Sequence, residues 1–440
     1  MIRDSEFSEE AISKFVRTDS VGRNGYLSNI LGALNSIEKS TYISIDAGWG
    51  AGKTVFMKEI EYLNYCALDM FSAPGLSLEL LTTFQDKYVV FYYNAWENDY
   101  HSDPLQSLLF SLIDKLYTDD ARKDKVKILA KSAVKNIAKS TVKSLTHNIV
   151  DIDKINEAET VDGLVSSITV VNERKNAVTD IINEILPSGK KLLFIVDELD
   201  RCKPEFAVNL MEVMKHYYSD NNLVFLLSTN NRQLVHTVKK YYGDGFDGYG
   251  YLDKLYDLIL ELPPVDIEKY SYSQLGVPNN SYWINIAQIE ITKFLKMSMR
   301  EANRYNSLLS ITRVRLGNSD RGLRNTVLLM TYYVFIPLAL GLKIRDIKLY
   351  DKFVSGNGEE LIKNLFKFNE TFHHVRVRDE NPEQDAIQVA VEAYRSMINA
   401  KSIPYDQSNY DTRRAEEIFT EILPLISSLG RIDGAEELQN

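Results

Sequence analysis

A glycine-rich loop is the clearest chemical feature of the sequence. It reads Ala47-Gly48-Trp49-Gly50-Ala51-Gly52-Lys53-Thr54, the Walker A pattern with alanine in place of the first glycine. Small residues let backbone N–H groups turn toward phosphate oxygens, and a helix beginning near Lys53 adds its positive end. Lys53 would reach the β- and γ-phosphates, and the Thr54 hydroxyl would bind Mg²⁺. The loop therefore predicts a nucleoside triphosphate site.

Two carboxylates, Asp197 and Glu198, follow directly after an apolar run that ends in Phe194-Ile195-Val196. A buried strand that ends in acidic residues needs a partner to neutralise them. We expect Asp197 to hold Mg²⁺, through water, and Glu198 to accept the proton of an attacking water. The same pattern alone could also be ordinary helix capping. Its combination with the Walker A loop favours the metal site.

Another apolar run, which begins near Asn222, ends in the polar residues Thr229, Asn230 and Asn231. A polar side chain at this position would lie beside the γ-phosphate and the attacking water, and we favour Asn230 as this sensor. The alternative is a plain loop cap.

Four arginines in the carboxyl-terminal half are candidates to contact the γ-phosphate. Arg300 and Arg304 are four residues apart on a predicted helix and share a face, while Arg321 and Arg324 are rivals. An arginine added to phosphoryl transfer can raise the rate by ~10³-fold or more. For each of them the alternative is a surface or structural ion pair. We choose Arg300 as the catalytic candidate, without deciding which subunit supplies it.

The elements that must position these residues alternate between strand and helix. Strands are predicted at Thr41–Ala47 and from Lys87, Lys190 and Asn222, with a crossover helix between the last two. The near-continuous apolar runs indicate burial on both faces and therefore a parallel sheet. The fold class is α/β. The predicted segments are 1–102, the first part of the core; 103–186, a helical insertion; 187–265, the rest of the core; and 266–440, a helical lid and accessory region.

Composition limits the possible classes of protein. The chain has 440 residues, a net charge of −10 and two cysteines, Cys66 and Cys202. The negative charge argues against a protein whose whole surface holds nucleic acid. Two cysteines cannot form a disulfide framework, and the acidic beginning of the chain does not resemble a signal peptide, so we expect a cytoplasmic protein. The uncharged run Thr326–Leu342 is predicted to be a buried core helix rather than a membrane span.

A basic stretch over residues 122–143 is the exception in this acidic chain. This stretch contains seven lysines and one arginine but only one acidic residue, an aspartate. Its lysines recur at four-residue steps from Lys127 to Lys143. The pattern predicts an amphipathic cationic helix. We weigh a membrane surface, nucleic acid or an acidic partner against a solvated helix face, and favour the last.

Several ordered motifs resemble the KAP family of P-loop NTPases. They span about residues 20–355. They are Trp49–Thr54, Asn94-Ala95-Trp96-Glu97, Asp197-Glu198-Leu199-Asp200-Arg201-Cys202 with Pro204, Arg232-Gln233-Leu234, Tyr242–Asp247, Tyr251-Leu252 and Leu262-Pro263.

The resemblance implies a nucleotide-hydrolysing core of the additional-strand (ASCE) type, with Glu198 on the strand next to the P-loop strand and a helical lid. Family members include bacterial proteins linked to phage or plasmid exclusion and animal proteins that organise signalling at membranes. Many carry transmembrane helices between the Walker A and Walker B segments, and this sequence does not. Ala47 and Asn230 depart from the family pattern, which more often has glycine and aspartate there.

We therefore predict Mg²⁺-dependent ATP hydrolysis that couples nucleotide state to a homo-oligomer or a protein effector, in bacterial anti-phage defence. Membrane association, if any, would come through partners. No guanine signature of the NKxD type is present, which favours adenine. Two alternatives stay open: a nucleotide-gated scaffold with little hydrolysis, and a P-loop kinase.

Overall fold

The protein forms two units, each with a hydrophobic core of its own. The structure is a computed structural model that describes residues 8–116, 175–176, 178–217, 222–275, 283–316, 325–375, 385–400 and 410–427. The first unit comprises residues 1–19 and 23–264, and the second comprises residues 20–22 and 265–440. The predicted basic helix over 122–143 lies outside the described residues, as does most of the predicted helical insertion.

A five-stranded sheet, with every neighbouring pair parallel, forms the centre of the first unit. Its strands are β1 Thr41–Asp46, β2 Tyr88–Asn94, β3 Lys191–Asp197, β4 Leu223–Thr229 and β5 Leu258–Glu261. Their order across the sheet is β2-β3-β4-β1-β5. The predicted α/β class with a parallel sheet is confirmed.

The strand order corrects one expectation from the resemblance. Glu198 follows β3, and β3 is not next to the P-loop strand β1, because β4 lies between them and pairs with both. All seven residues of β4 are buried. A strand without a solvated face or edge is stable in the interior of a sheet, where both faces are covered and both edges are paired.

Helices cover both faces of this sheet. In chain order they are α1 Glu9–Thr18, α2 Asn24–Ser36, α3 Lys53–Tyr65, α4 Leu78–Lys87, α5 Pro104–Leu116, α6 Pro204–Tyr217, α7 Asn231–Tyr242 and α8 Gly248–Leu255. One layer holds α3, which packs on β2, β3 and β4 and on α1 and α4. The other layer holds α5, α6 and α7, which pack on one another in sequence. The result is a three-layer sandwich in which the apolar strands are shielded from water.

The second unit is helical throughout its described residues. Its helices are α9 Ile267–Leu275, α10 Trp283–Phe294, α11 Met299–Leu316, α12 Thr326–Arg345, α13 Ile347–Val354, α14 Glu359–Phe368, α15 Ala386–Ile398 and α16 Tyr410–Ser427. Their apolar faces meet in one core, which includes Tyr305, Phe335, Phe353 and Tyr394.

Helix α12 contains the uncharged run noted in the sequence. By length and composition it is the one helix, within the described parts of the chain, that could cross a membrane. Yet 72% of its most apolar stretch is buried inside the protein, as expected for a core helix. Residues Thr331–Phe335 form a π-helical turn just before Pro337. Proline has no N–H for the carbonyl four residues earlier, which explains a local change of the hydrogen-bond pattern at this point.

Candidate functional site

The carboxyl ends of β1, β3 and β4 lie at the same edge of the sheet, where ligands bind in open α/β folds. Each strand delivers one of the predicted motifs to this edge. The Walker A loop follows β1, Asp197 ends β3, and Thr229 ends β4. The topology therefore brings together side chains that are far apart in sequence.

The Walker A loop connects β1 to α3 through two glycines in the left-handed region. Gly50 has φ +80° and Gly52 has φ +85°, a conformation that other residues adopt at a cost. Helix α3 begins at Lys53, directly after the loop. The Lys53 Nζ atom donates to the carbonyl oxygens of Ala47 at 2.6 Å and Gly48 at 3.3 Å. The ammonium group of Lys53 thus contacts the backbone of the Walker A loop.

Lys53 is 9% exposed. Burial lowers its pKa, and nearby carboxylates partly offset this effect. The carboxylates that raise the pKa belong to Asp200, Asp197 and Asp46. The site thus offers a positive charge for phosphate oxygens and negative charges for Mg²⁺.

Asp197 is held through both carboxylate oxygens and is 1% exposed. Its Oδ1 atom accepts the backbone N–H of Glu198 at 2.8 Å, and its Oδ2 atom accepts the hydroxyl of Tyr92 at 2.8 Å. Burial and the neighbouring aspartate raise the pKa of Tyr92 above its usual range, so the phenol stays protonated and donates. The buried carboxylate is therefore fixed in orientation.

Glu198 adopts a left-handed backbone conformation with φ +60°, which is uncommon for a residue with a Cβ atom. Its Oε1 atom pairs with Arg201 at 3.0 Å. Burial raises the pKa of Glu198, against the opposing effects of Arg201 and of a hydrogen bond with Asn94. A raised carboxyl pKa makes the group a better proton acceptor at neutral pH. Its position and basicity suit the role of general base.

A hydrogen bond connects the Walker A loop to the turn after β3. The indole Nε1–H of Trp49 donates to Asp200 Oδ2 at 2.6 Å, although the Trp49 side chain is half exposed. Next to it, the guanidinium of Arg201 lies 5.4 Å from the centre of the Trp96 ring. The Asp197–Cys202 turn thus contacts both the Walker A loop and the Asn94–Glu97 motif.

The sensor candidate Asn230 caps the helix after β4. Its Oδ1 atom accepts the Gln233 N–H at 3.4 Å, so the capping alternative describes the contact that the structure has. Its neighbour Asn231 contacts β1 instead. The Asn231 backbone N–H donates to Asp46 Oδ1 at 2.8 Å, and its buried Oδ1 atom has no hydrogen-bond partner among the described residues. The sensor role of Asn230 stays a prediction.

The arginine candidates are not part of this unit. Arg300 and Arg304 are exposed on α11 of the second unit. Arg321 and Arg324 lie outside the described residues. Their contact with a nucleotide stays a prediction.

A further arginine, Arg23, was not identified from the sequence. It is 2% exposed, and its Nη2 atom donates to the carbonyl of Ala51 in the Walker A loop at 2.8 Å and to the carbonyl of Pro263. Its partners lie 28 and 240 residues away in the chain, so no local pattern could reveal them. Burial lowers the pKa of Arg23 to about 10. Arg23 ties the loop to the segment that follows β5.

The residues present fit Mg²⁺. No group of three or more His, Cys, Asp or Glu side chains within the described ranges could hold a metal ion by itself. Mg²⁺ is typically bound by one or two protein oxygens together with water and substrate phosphates. The Thr54 hydroxyl and the buried Asp197 carboxylate are a donor set of this kind.

Comparison with known proteins agrees with this geometry. No curated protein matches the chain. A model of the KAP family P-loop domain matches residues 23–314, which include both motifs and all five strands. The chain therefore belongs to the KAP family of P-loop NTPases, a family that binds and hydrolyses nucleotides.

Proposed function

We propose that the protein hydrolyses ATP in a Mg²⁺-dependent reaction and that the nucleotide state controls a partner or the assembly of the protein. The observation that carries the proposal is Glu198. A partly buried carboxyl with a raised pKa follows the metal-binding candidate Asp197 at the carboxyl edge of the sheet. A protein that only binds nucleotide has no use for a proton acceptor at this point.

Each residue then has a defined task. The loop Gly48-Trp49-Gly50-Ala51-Gly52 surrounds the phosphates with backbone N–H groups, and Lys53 neutralises their charge. Mg²⁺, held by Thr54 and Asp197, would supply further positive charge to the phosphates. Glu198 takes the proton of the attacking water. Asn230 and Arg300 are proposed to sense the γ-phosphate.

The ion pair of Glu198 with Arg201 favours a slow basal rate. The guanidinium of Arg201, 3.0 Å from the carboxylate, lowers the pKa that burial raises, so Glu198 is a weaker base than the same buried carboxylate would be without the ion pair. Hydrolysis would therefore speed up when a partner or a second copy moves Arg201 away. The same observation supports the alternative, a nucleotide-gated scaffold with little turnover.

The proposed setting is bacterial anti-phage defence in the cytoplasm, with ATP preferred over GTP. The setting rests on the family resemblance, and the base preference rests on the missing guanine signature. Infection of cells that express the wild-type protein or the Glu198→Gln variant tests the setting. Equal plaque counts on both would exclude a role that needs hydrolysis.

The enzymatic test is steady-state phosphate release from Mg-ATP. Lys53→Ala should lose binding and hydrolysis, whereas Glu198→Gln should keep ATP binding and lose hydrolysis. Matched controls are Lys240→Ala and Glu205→Gln, which change exposed residues on α7 and α6. Tight ATP binding by the wild type without any phosphate release, alone or with GTP, would support the scaffold instead.

A further inference from the structure

The hydroxyl of Tyr92 is aimed at the Walker B aspartate from the neighbouring strand. Strands β2 and β3 are paired with Asn94 opposite Asp197, so Tyr92 is two residues back on the same strand and on the same face of the sheet as Asn94. The Tyr92 hydroxyl spans this diagonal and donates to Asp197 Oδ2 at 2.8 Å. Tyr92 is 6% exposed and Asp197 is 1% exposed, so the contact lies inside the protein.

This contact completes the fixation of the carboxylate. Oδ1 accepts the Glu198 N–H and Oδ2 accepts the tyrosine, one donor on each oxygen. A carboxylate oxygen has two lone pairs, so each oxygen keeps one for a metal ion or a metal-bound water. Removal of the tyrosine donor would leave the buried carboxylate fixed through Oδ1 alone, with Oδ2 no longer held in place.

The ring of Tyr92 is itself held by cations. Lys58 Nζ lies 3.4 Å and Lys115 Nζ lies 5.3 Å from the ring centre. Both lysines pair with Glu61, at 2.7 Å and 3.9 Å. Cations near an aromatic ring are attracted to it, and their charge makes the phenol a stronger hydrogen-bond donor. Helices α3 and α5 thus hold Tyr92 in place from outside the sheet.

We propose that Tyr92 is a positioning residue that orients Asp197 for the Mg²⁺–nucleotide complex. The inference rests on the proposed nucleotide site, but it needs no assumption about hydrolysis. Mg²⁺ demands near-ideal octahedral geometry, so a carboxylate that is fixed through only one oxygen binds it less tightly. Loss of a group that orients a metal ligand typically costs 10- to 100-fold in metal affinity.

The adjacent residue provides a matched control. Tyr93 is also buried, at 1% exposure, and its hydroxyl shares a hydrogen bond of 2.9 Å with Ser107 on α5. Tyr92→Phe and Tyr93→Phe each remove one buried hydroxyl from the same strand. Only Tyr92→Phe removes a contact with Asp197.

The experiment is isothermal titration of ATP into each protein, first in EDTA and then over a series of Mg²⁺ concentrations. We expect Tyr92→Phe to keep its ATP affinity in EDTA and to need at least about tenfold more Mg²⁺ for half of the magnesium-induced gain in affinity. Tyr93→Phe should follow the wild type in both conditions. A thermal melt of each variant reports whether it is folded.

A double-mutant cycle separates the positioning role from a general effect of Tyr92→Phe on the structure. In an Asp197→Asn background, Tyr92→Phe should change the Mg²⁺ dependence no further. An unchanged Mg²⁺ requirement in Tyr92→Phe, an equal shift in Tyr93→Phe, or additive losses in the double variant would each overturn the proposal. A wild type that binds Mg-ATP without hydrolysis overturns the hydrolase alone, whereas a wild type that binds no nucleotide overturns both proposals.

Discussion

A buried carboxyl group on the Walker A helix makes stability fall as the pH rises. Glu59 lies on α3 with 2% exposure, and burial raises its pKa from 4.5 to about 8, although the nearby Arg23 opposes the shift. The folded protein therefore keeps this proton up to about pH 8, whereas the unfolded chain releases it near 4.5. Between these values the unfolded state binds fewer protons, so the free energy of unfolding decreases with pH.

The size of the effect follows from the two pKa values. A loss of about 1.4 kcal/mol per pH unit, over the interval from 4.5 to about 8, amounts to roughly 5 kcal/mol. The stabilisation is complete below pH 4.5 and is lost once the pH passes about 8. Over about two pH units the predicted loss is roughly 3 kcal/mol, or some 5–10 °C in Tm for a unit of this size.

The perturbation is Glu59→Gln, which has the same shape and no titrating proton. Thermal unfolding of wild type and variant is compared from pH 6 to pH 8.5 at constant ionic strength. We expect the wild type to lose stability relative to the variant as the pH rises, with a plateau above about pH 8. Glu61→Gln, on the same helix but partly exposed, is the control. Parallel pH profiles for wild type and Glu59→Gln would refute the reasoning.

Three further predictions concern the Walker A loop. Trp49→Phe keeps an aromatic ring but removes the N–H donor to Asp200. We expect about tenfold weaker ATP binding in a calorimetric titration, because a hydrogen bond to a charged group contributes about 1.5–3 kcal/mol. An unchanged ATP affinity would contradict this prediction. Gly52→Ala places a Cβ atom at φ +85°, and a loss of about 1–2 kcal/mol should appear as a lower Tm. Arg23→Lys keeps the charge but cannot reproduce the guanidinium contacts with the two carbonyl groups. We expect weaker ATP binding and a lower Tm. A Tm equal to that of the wild type would contradict this prediction.

The sequence predicted the parts of the fold whose signal is local. Strands β1 to β4 are apolar runs that end in polar residues, and the Walker A loop is a run of small residues, so both can be recognised without tertiary information. Strand β5 was missed because it has only four residues, which is too short a run to be distinguished from other short apolar segments. The position of β4 between β3 and β1 depends on pairing across the sheet and not on any single segment.

The site was predicted less completely than the fold, for a related reason. Lys53, Asp197 and Glu198 belong to motifs, whereas Tyr92 looks like any aromatic residue of a buried strand. Its function depends on the register between β2 and β3, which places its hydroxyl against a carboxylate 105 residues away. Arg23 is similar: its importance comes from carbonyl groups that only the folded chain brings to it.

The order of the strands also determines when the nucleotide site can form on the ribosome. Strand β1 is the first of the five strands to be synthesised, yet both of its neighbours, β4 and β5, come much later. The contact from Asn231 to Asp46 spans 185 residues, and that from Asp257 to Tyr42 spans 215. At about 5–20 residues per second, β1 waits roughly 10–40 s with both edges unpaired. During this interval the nascent chain presents an apolar strand whose two edges can pair with wrong partners.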